Sequence, residues 1–296
     1  MKVVDNSETA HSENKIDIWG SIPFLSMHII CIGVFFTGVS ATALAVCFAA
    51  IVVRMFGVTG GFHRYFSHKT FKTSRAFQFV LAFLGTASAQ LGPLWWASHH
   101  RRHHRFTDQE EDIHSPSIQG FFWAHMGWIM CKKNFKEDRT KSIPDFAQFA
   151  ELRFLDNYPY IPPMIFAGMI VVLGIWISGA FPNLHTSVYQ IVMWGFFVST
   201  VILYHLTFSI NSLAHIVGVQ RFKTKDTSRN NFVLALLTMG EGWHNNHHRY
   251  AGSERQGFYW WQIDMTHYIL TLLSWLRIVW DIRKPPQQIL IEGRGK

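Results

Sequence analysis

Phe77-Gln78-Phe79-Val80-Leu81-Ala82-Phe83-Leu84-Gly85-Thr86-Ala87-Ser88-Ala89-Gln90-Leu91-Gly92-Pro93-Leu94-Trp95-Trp96 is an apolar stretch of about 20 residues, the length that one helix needs to cross a bilayer. Whether it crosses decides the fold, because histidine clusters lie on both sides of it. Upstream stands His63-Arg64-Tyr65-Phe66-Ser67-His68, and downstream His100-Arg101-Arg102-His103-His104. The downstream histidines sit at i, i+3 and i+4. These offsets are roughly 300° and 400° of rotation on a helix, so the three imidazoles leave one face. Neutral imidazole ligates Fe, Zn, Cu and Ni, and a site built from it alone needs several rings at close range. A crossing at 77–96 would put a bilayer between the two clusters. The second half of the stretch also carries Thr86, Ser88, Gln90 and Gly92-Pro93. It therefore reads as a buried helix outside the membrane, roofing the site or lining a channel.

The same histidine spacing returns in Gly240-Glu241-Gly242-Trp243-His244-Asn245-Asn246-His247-His248. A fourth contribution is Asn211-Ser212-Leu213-Ala214-His215. A lone histidine after an apolar run is more often a satisfied core residue, so the claim of His215 rests on the other clusters. His63 and His68 are five apart, about 140° round an α-helix, and would diverge unless the helix ends between them or they serve two metals. Two metals is the favoured reading.

Outward from this region lie the runs that do cross. At 49% hydrophobic and 16% aromatic residues the chain is rich for a soluble protein. Residues 23–53 are almost uncharged over about 31 positions, where one span takes about 20 and two take about 40. Thr37-Gly38-Val39-Ser40 supplies turn chemistry inside that run, which predicts a tight pair of helices at 22–36 and 41–56. Two more runs, 161–181 and 188–210, are joined by Pro182-Asn183-Leu184-His185-Thr186-Ser187, without Lys or Arg. That connection suits the outer side, and the basic segments with all four histidine clusters then lie inside. The net charge of +8, from 27 Lys and Arg against 19 Asp and Glu, flanks apolar runs and argues against nucleic-acid binding. Cys31, Cys47 and Cys131 are scattered and form neither a metal knuckle nor a disulfide framework, which fits a reducing compartment.

The termini are less telling. Residues 1–21 read as a polar, loosely docked tail without the apolar core of a signal peptide. Residues 268–280 read as an amphipathic helix, on the membrane surface or on the domain core, and 285–296 as a short extended end. The resulting division is 1–21 tail, 22–56 first helix pair, 57–157 first part of the inner domain, 158–210 second pair and 211–296 second part.

Gly61-Phe62-His63-Arg64-Tyr65-Phe66-Ser67-His68, His100-Arg101-Arg102-His103-His104-Arg105-Phe106-Thr107-Asp108, Asn211-Ser212-Leu213-Ala214-His215 and Gly240 to His248, in that order, resemble the membrane fatty acyl desaturases of the stearoyl-CoA (delta-9) type, in their bacterial form. The similarity runs from about His28 to Pro286 and includes Asp112-Ile113-His114-Ser115-Pro116. The resemblance implies an all-α integral membrane protein, with four transmembrane helices and a cytosolic helical cap that holds a histidine-ligated di-iron site. By that resemblance the iron ligands are His63, His68, His100, His103, His104, His215, His244, His247 and His248, with Asn211 holding a metal-bound water. Five imidazoles would serve one iron, and four plus the water the other. Each ring needs an acceptor for its second nitrogen, and Asp108, Glu111, Asp112, Glu241 and Asp264 are the candidates; His99 and His114 lie near the boxes.

Removing hydrogens from unactivated methylenes is beyond amino-acid side chains, so an oxidant made from O2 at the metal must do it, while the protein positions and excludes water. By resemblance the product is a cis double bond in a saturated acyl chain, carried on CoA or phospholipid. Electrons must come from outside, through a separate ferredoxin or cytochrome b5-like donor, which the basic surface of Arg101, Arg102, Arg105, Lys132 and Lys133 could attract. The acyl chain needs an apolar tunnel. Trp95, Trp96, Trp128 and Trp243 are its candidate linings, and Lys132 and Lys133 match a basic pair that holds CoA in animal enzymes. The implied location is a bacterial inner membrane, with the catalytic domain and both termini cytoplasmic and membrane lipid as surroundings. Two other readings stand beside this one: a histidine-box hydroxylase, and a metal transporter or sensor without catalysis. The latter suits less well, because the histidines lie outside the apolar runs whereas transport sites lie near the midplane.

Overall fold

A computed structural model describes residues 15–135 and 139–295. Most of the expected tail lies outside these residues. Its described part is docked, with Ile16 bridging to Cys131 and the Asp17 amide donating to the Met130 carbonyl at 2.8 Å.

The regular structure of the described residues is almost entirely helical. Helix α1 (Ile22–Thr37) and helix α2 (Ala41–Ser67) form the predicted hairpin. Gly38, with φ +70°, makes the turn, and the Ser40 hydroxyl caps α2 by accepting from the Ala43 amide at 3.1 Å. Helices α3 (Arg75–Thr86) and α4 (Pro93–Phe106) follow, then short turns and α5 (Ala150–Asn157). A second hairpin pairs α6 (Ile161–Ala180) with α7 (Val188–His215). Ser187 and Gln190 form a capping box at the start of α7. The two hairpin turns meet: Gln190 Nε2 donates to the Thr37 carbonyl at 3.0 Å, and Trp194 Nε1 to the Gly38 carbonyl at 3.0 Å.

Among the described residues three helices, α2, α6 and α7, are long and apolar enough to cross a membrane, against four expected spans. The fourth expected span, α1, is the short one at 16 residues and is interrupted by a 3-10 turn at Cys31–Gly33. The deciding stretch is not one helix long enough to cross. Helix α3 has 12 residues, about 18 Å against the roughly 30 Å of a hydrocarbon core. The chain then reverses through Ala89 and Leu91, at φ +58° and +64°. On α3, Leu81, Ala82 and Gly85 are buried, and Gly85 lies under the Phe62 ring. The largest core forms around this contact and includes Phe62, Phe66, Phe71, Leu81, Phe146, Leu155 and Leu270. Full burial of each such side chain stabilises by roughly 1.5–3 kcal/mol.

The last part of the chain departs from expectation. Helix α8 (Phe232–Leu237) and helix α9 (His244–Arg249) precede α10 (Met265–Trp275), which ends sooner than 268–280 suggested. Asp264 caps its start and Arg277, at φ +58°, lies just past its end. Val279–Trp280 (β2) then pairs antiparallel with Lys72–Thr73 (β1). The predicted extended tail contains a helix, α11 (Gln287–Gly293). It forms because Ile289 finds a hydrophobic partner cluster in Phe222, Phe258 and Tyr259, and Glu292 pairs with Arg249 at 2.6 Å.

Candidate metal centre

The four histidine segments meet where α2, α4, α7 and α9 end or begin. In α2 the last 11 residues, Gly57–Ser67, are π-helical. This wider turn returns residue i+5 above residue i, and the His68 amide donates to the His63 carbonyl at 3.2 Å. His63 and His68 therefore do not diverge toward two metals. They fall in one group, because the α-helical angle assumed from the sequence does not apply there.

Helix α4 is fixed from its start. The Asp156 Oδ1 atom accepts from the Leu94 and Trp95 amides at 3.1 and 2.9 Å, satisfying donors that no α-helix satisfies for itself. Gly92 is needed for this approach, since a Cβ there would collide with Asp156. Helix α9 is only six residues long and is bolted down by the two asparagines between its histidines. Asn245 Oδ1 accepts from the Phe222 amide at 2.7 Å. Asn246 Nδ2 donates to the Gln256 carbonyl at 2.8 Å and to Gln262 Oε1 at 3.0 Å.

The nine predicted histidines come together as two groups. His63, His68, His100, His104 and His247 place ring nitrogens within 4.8 Å of one another, and His103, His215, His244 and His248 do the same. The Nε2 atoms of His63 and His247 are 3.0 Å apart, those of His68 and His100 2.8 Å, those of His104 and His247 2.8 Å, and those of His215 and His244 3.1 Å. Asn211 faces a small cavity lined also by His63, His100, His103 and His244.

The Nδ1 atoms of four rings, those of His63, His103, His215 and His248, face acceptors, whereas His244 Nδ1 is buried without one. Glu241 is in close contact with His63 Nδ1 and accepts from Gln256 Nε2 at 2.8 Å. His103 Nδ1 donates to Asp112 at 3.0 Å and His248 Nδ1 to Asp226 at 3.0 Å. His215 Nδ1 lies 3.1 Å from Thr227 Oγ1 and 3.9 Å from Asp108. Of the predicted acceptors, Asp112 and Glu241 touch a ring directly. Asp264 acts one step out, through Arg64, which is 1% exposed and bridges Glu241, Glu254 and Asp264. Glu111 contributes only its backbone carbonyl, to Arg102. Asp226 was missed, because it stands in Lys225-Asp226-Thr227, a polar segment with no spacing to any box. Among the nearby histidines, His114 packs against His103 with ring centroids 4.5 Å apart, and His99 Nδ1 bonds the Trp95 carbonyl at 2.9 Å.

The electrostatics of this arrangement suit cations. Burial, reinforced by neighbouring rings, pushes His68, His100, His104, His244 and His247 well below the ordinary histidine value. These rings are neutral, and where both facing Nε2 atoms carry lone pairs, a contact near 3 Å is favourable only with a cation between them. His248 Nε2 is buried without a hydrogen-bond partner. Burial disfavours charge on Asp112 and Asp226, yet the bonded His103 and His248 hold both carboxyls well below the usual range. Glu241 is also buried and is held low by His63 and Arg64. Buried carboxylates are costly without compensating positive charge. The residues fit metal ions in both groups, and the all-imidazole donor set is one that Fe, Zn, Cu and Ni accept.

A cavity of about 720 Å³ adjoins the centre, lined by Trp95, Trp96, His99, His100, His114, Trp128 and Asn211 and continuing along α7 to Phe196 and Val192. Its volume is within the range of small-molecule sites. Three of the four tryptophans in question, Trp95, Trp96 and Trp128, are in its wall. Trp243 is not; its indole donates to the Ile263 carbonyl at 2.8 Å and faces the core. Lys132 and Lys133 are exposed and outside the lining. Arg101 is not part of a free basic surface, because Asp145 and the carbonyls of Phe66 and Ser67 hold its guanidinium.

Comparisons with known proteins agree with this geometry. A family model described as fatty acid desaturase matches residues 40–274. The chain is 35% identical over 282 residues to the Acyl-CoA 5-desaturase AL21 of Anemone leveillei, across 93% of this chain and 82% of that protein. It is 34% identical over 266 residues to the sn-1 stearoyl-lipid 9-desaturase of Synechocystis, across 89% and 79%. Against the chloroplastic palmitoyl-monogalactosyldiacylglycerol delta-7 desaturase of Arabidopsis thaliana the identity is 35% over 248 residues, across 83% and 63%. With a family match over most of its length and relatives of this identity and coverage, the chain is an oxidoreductase that belongs to the fatty acid desaturase family.

Proposed function

We propose that the protein places a cis double bond, at the delta-9 position, in a saturated acyl chain carried on CoA or phospholipid, with O2 as oxidant. The observation that carries this reading is the position of two histidine groups beside a long apolar cavity that reaches His100 and Asn211. The nine histidines would hold two irons, five rings on one and four on the other, with Asn211 placed for a water on the second. Bound there, the irons would supply the oxidation that removes two vicinal hydrogens. The chain's own residues do the rest. Glu241, Asp112 and Asp226 keep the Nδ1 protons of His63, His103 and His248 in place, so that each Nε2 turns inward. Trp96 stacks on His100, with centroids 5.0 Å apart, and closes the wall between chain and centre. Gln90 Nε2 donates to Thr207 Oγ1 at 3.0 Å, which pairs two polar groups of the cavity wall with each other. We place four spans in a bacterial inner membrane, with the cap and both termini cytoplasmic. Electrons come from a separate ferredoxin or cytochrome b5-like protein.

The test is the fatty-acid profile of a host expressing the protein, taken separately in the phospholipid and acyl-CoA pools, with His247→Ala as blank. A new monoene absent from the variant is expected. A chain heavier by one oxygen atom would instead establish a hydroxylase, and no modified chain at all would overturn the enzyme assignment.

A further inference from the structure

The large cavity has an opening that a cytosolic tunnel does not need. Its floor is α7, on which α1 and α6 both pack. Its two sides are Pro23, Phe24 and Met27 of α1 and Pro163, Met164 and Ala167 of α6. Met164 is 67% exposed, so the wall of the cavity is also an outer surface of the helix bundle. That surface belongs to a helix apolar enough to cross a membrane, where the medium outside is lipid.

The upper end of this slot is marked by Ser21 at the start of α1 and by Tyr160 just before α6. Trp19 and Tyr160, 82% and 61% exposed, flank it. Exposed Trp and Tyr beside spanning helices sit at the headgroup level of a bilayer, which is where glycerolipid esters lie. Among the described residues no Lys, Arg, Asp or Glu lines the cavity. A CoA carrier brings several phosphate charges, and the lysines expected to meet them, Lys132 and Lys133, are outside the lining. A chain still esterified to a membrane lipid brings only hydrocarbon into the slot and leaves its headgroup in the interface.

We propose that the slot between α1 and α6 admits the acyl chain of a membrane glycerolipid sideways from the bilayer, and that lipid-bound chains rather than CoA thioesters are the substrate. This rests on the desaturase reading above and names the carrier for it. The chain enters between Met27 and Met164 and lies along α7 toward Val192, with the part nearest Trp96 beside the histidine groups.

Two measurements on the purified full chain in nanodiscs test this. In the first, a phospholipid with a diazirine in its acyl chain is photolysed, and adducts are mapped by mass spectrometry. Adducts on α1 and α6 residues of the slot, undiminished by excess stearoyl-CoA, are expected. Ala167→Trp, which fills the slot, should lower their yield about ten-fold. Adducts confined to other surfaces, or displaced by stearoyl-CoA, overturn the proposal, and the unsubstituted protein alone decides this. In the second, the iron-loaded enzyme, supplied with O2 and a reduced ferredoxin, receives an isotopically labelled chain either on phospholipid or on CoA, with no acyltransferase present. Label appearing as monoene in the lipid alone supports lateral entry, and conversion of the CoA-borne chain in preference refutes it. Conversion of neither, with slot adducts intact, would sink the desaturase reading and leave the lipid slot standing.

Discussion

Replacement of Asp226 by asparagine separates the two halves of the proposed centre. The Asp226 carboxylate accepts from His248 Nδ1 at 3.0 Å through Oδ2, while Oδ1 takes the Ser228 amide and the Thr224 hydroxyl, both at 3.0 Å. An asparagine keeps the Oδ1 bonds and sets an NH2 donor against the His248 N–H. The ring must then lose that bond or move its proton to Nε2, and the second course removes the lone pair that faces His103, His215 and His244. Loss of such an acceptor typically costs 10–100-fold in metal affinity, or about 1.4–2.8 kcal/mol. The five-ring group shares no residue with the four-ring group and should be untouched. The assay is iron per chain, measured by plasma mass spectrometry after equilibration with graded chelator. Half of the iron in Asp226→Asn is expected to leave at ten- to hundred-fold lower chelator than in the unsubstituted protein. Glu241→Gln, which acts on His63, should weaken the other half. Parallel loss of all iron in both variants, or retention equal to that of the parent, would refute this account of how the rings are oriented.

Three further outcomes follow from the same structure. Asp156→Ala strips the Leu94 and Trp95 amides of their acceptor and Arg139 of its partner at 2.6 Å; it should lower stability by about 2–3 kcal/mol, read as a melting shift in detergent. Asp145→Asn tests a pH effect. Asp145 is partly buried, which opposes its charge, but Arg101 and Lys69 hold its carboxyl below the ordinary value. Its contribution, about 0.5–1 kcal/mol after solvent screening, is therefore present above the unfolded value near 3.9 and fades as pH falls through the lower folded value. The parent and the variant should differ in melting temperature at pH 7 and converge toward pH 3, and a gap that widens in acid would contradict the ion pair. Val192→Phe narrows the cavity at its far end, so product analysis should show a shift toward shorter chains; an unchanged length profile would mean that the chain does not reach Val192.

What could be read from the sequence was what obeys regular helix geometry. The i, i+3, i+4 clusters of α4 and α9 put six rings on two helix faces that the structure brings together, and the charge-free runs gave α6 and α7 within a few residues, whereas α2 runs on to Ser67, past the 41–56 expected of it. Rejection of 77–96 as a span needed only the requirement that the clusters meet. The pairing of His63 with His68 was misread because a π-helix has no signature in residue type; Gly57, Gly60 and Gly61 permit it, but nothing in their spacing announces it. Asp226 was invisible because its role depends on a loop folding back from 22 residues before His248. Asn245 and Asn246 did carry a signal, since two buried amides on the reverse of a ligand helix need partners of their own. The C-terminal helix α11 depends on the Phe222, Phe258 and Tyr259 cluster, whose members are distant in sequence, and a window over 285–296 contains none of them.

The partition of the nine rings also imposes an order on biosynthesis. The five-ring group is closed by His247 and the four-ring group by His244 and His248. Arg64, emerging early from the ribosome, waits for Glu241, Glu254 and Asp264 before its charge is matched. Neither group of rings can close before the segment from His244 to His248 has been made, so His63, His68, His100, His103 and His104 wait for partners that follow them far along the chain. A chain truncated before His244 would therefore leave both groups of rings incomplete beside a cavity whose lining, Gly20 to Asn211, is already present.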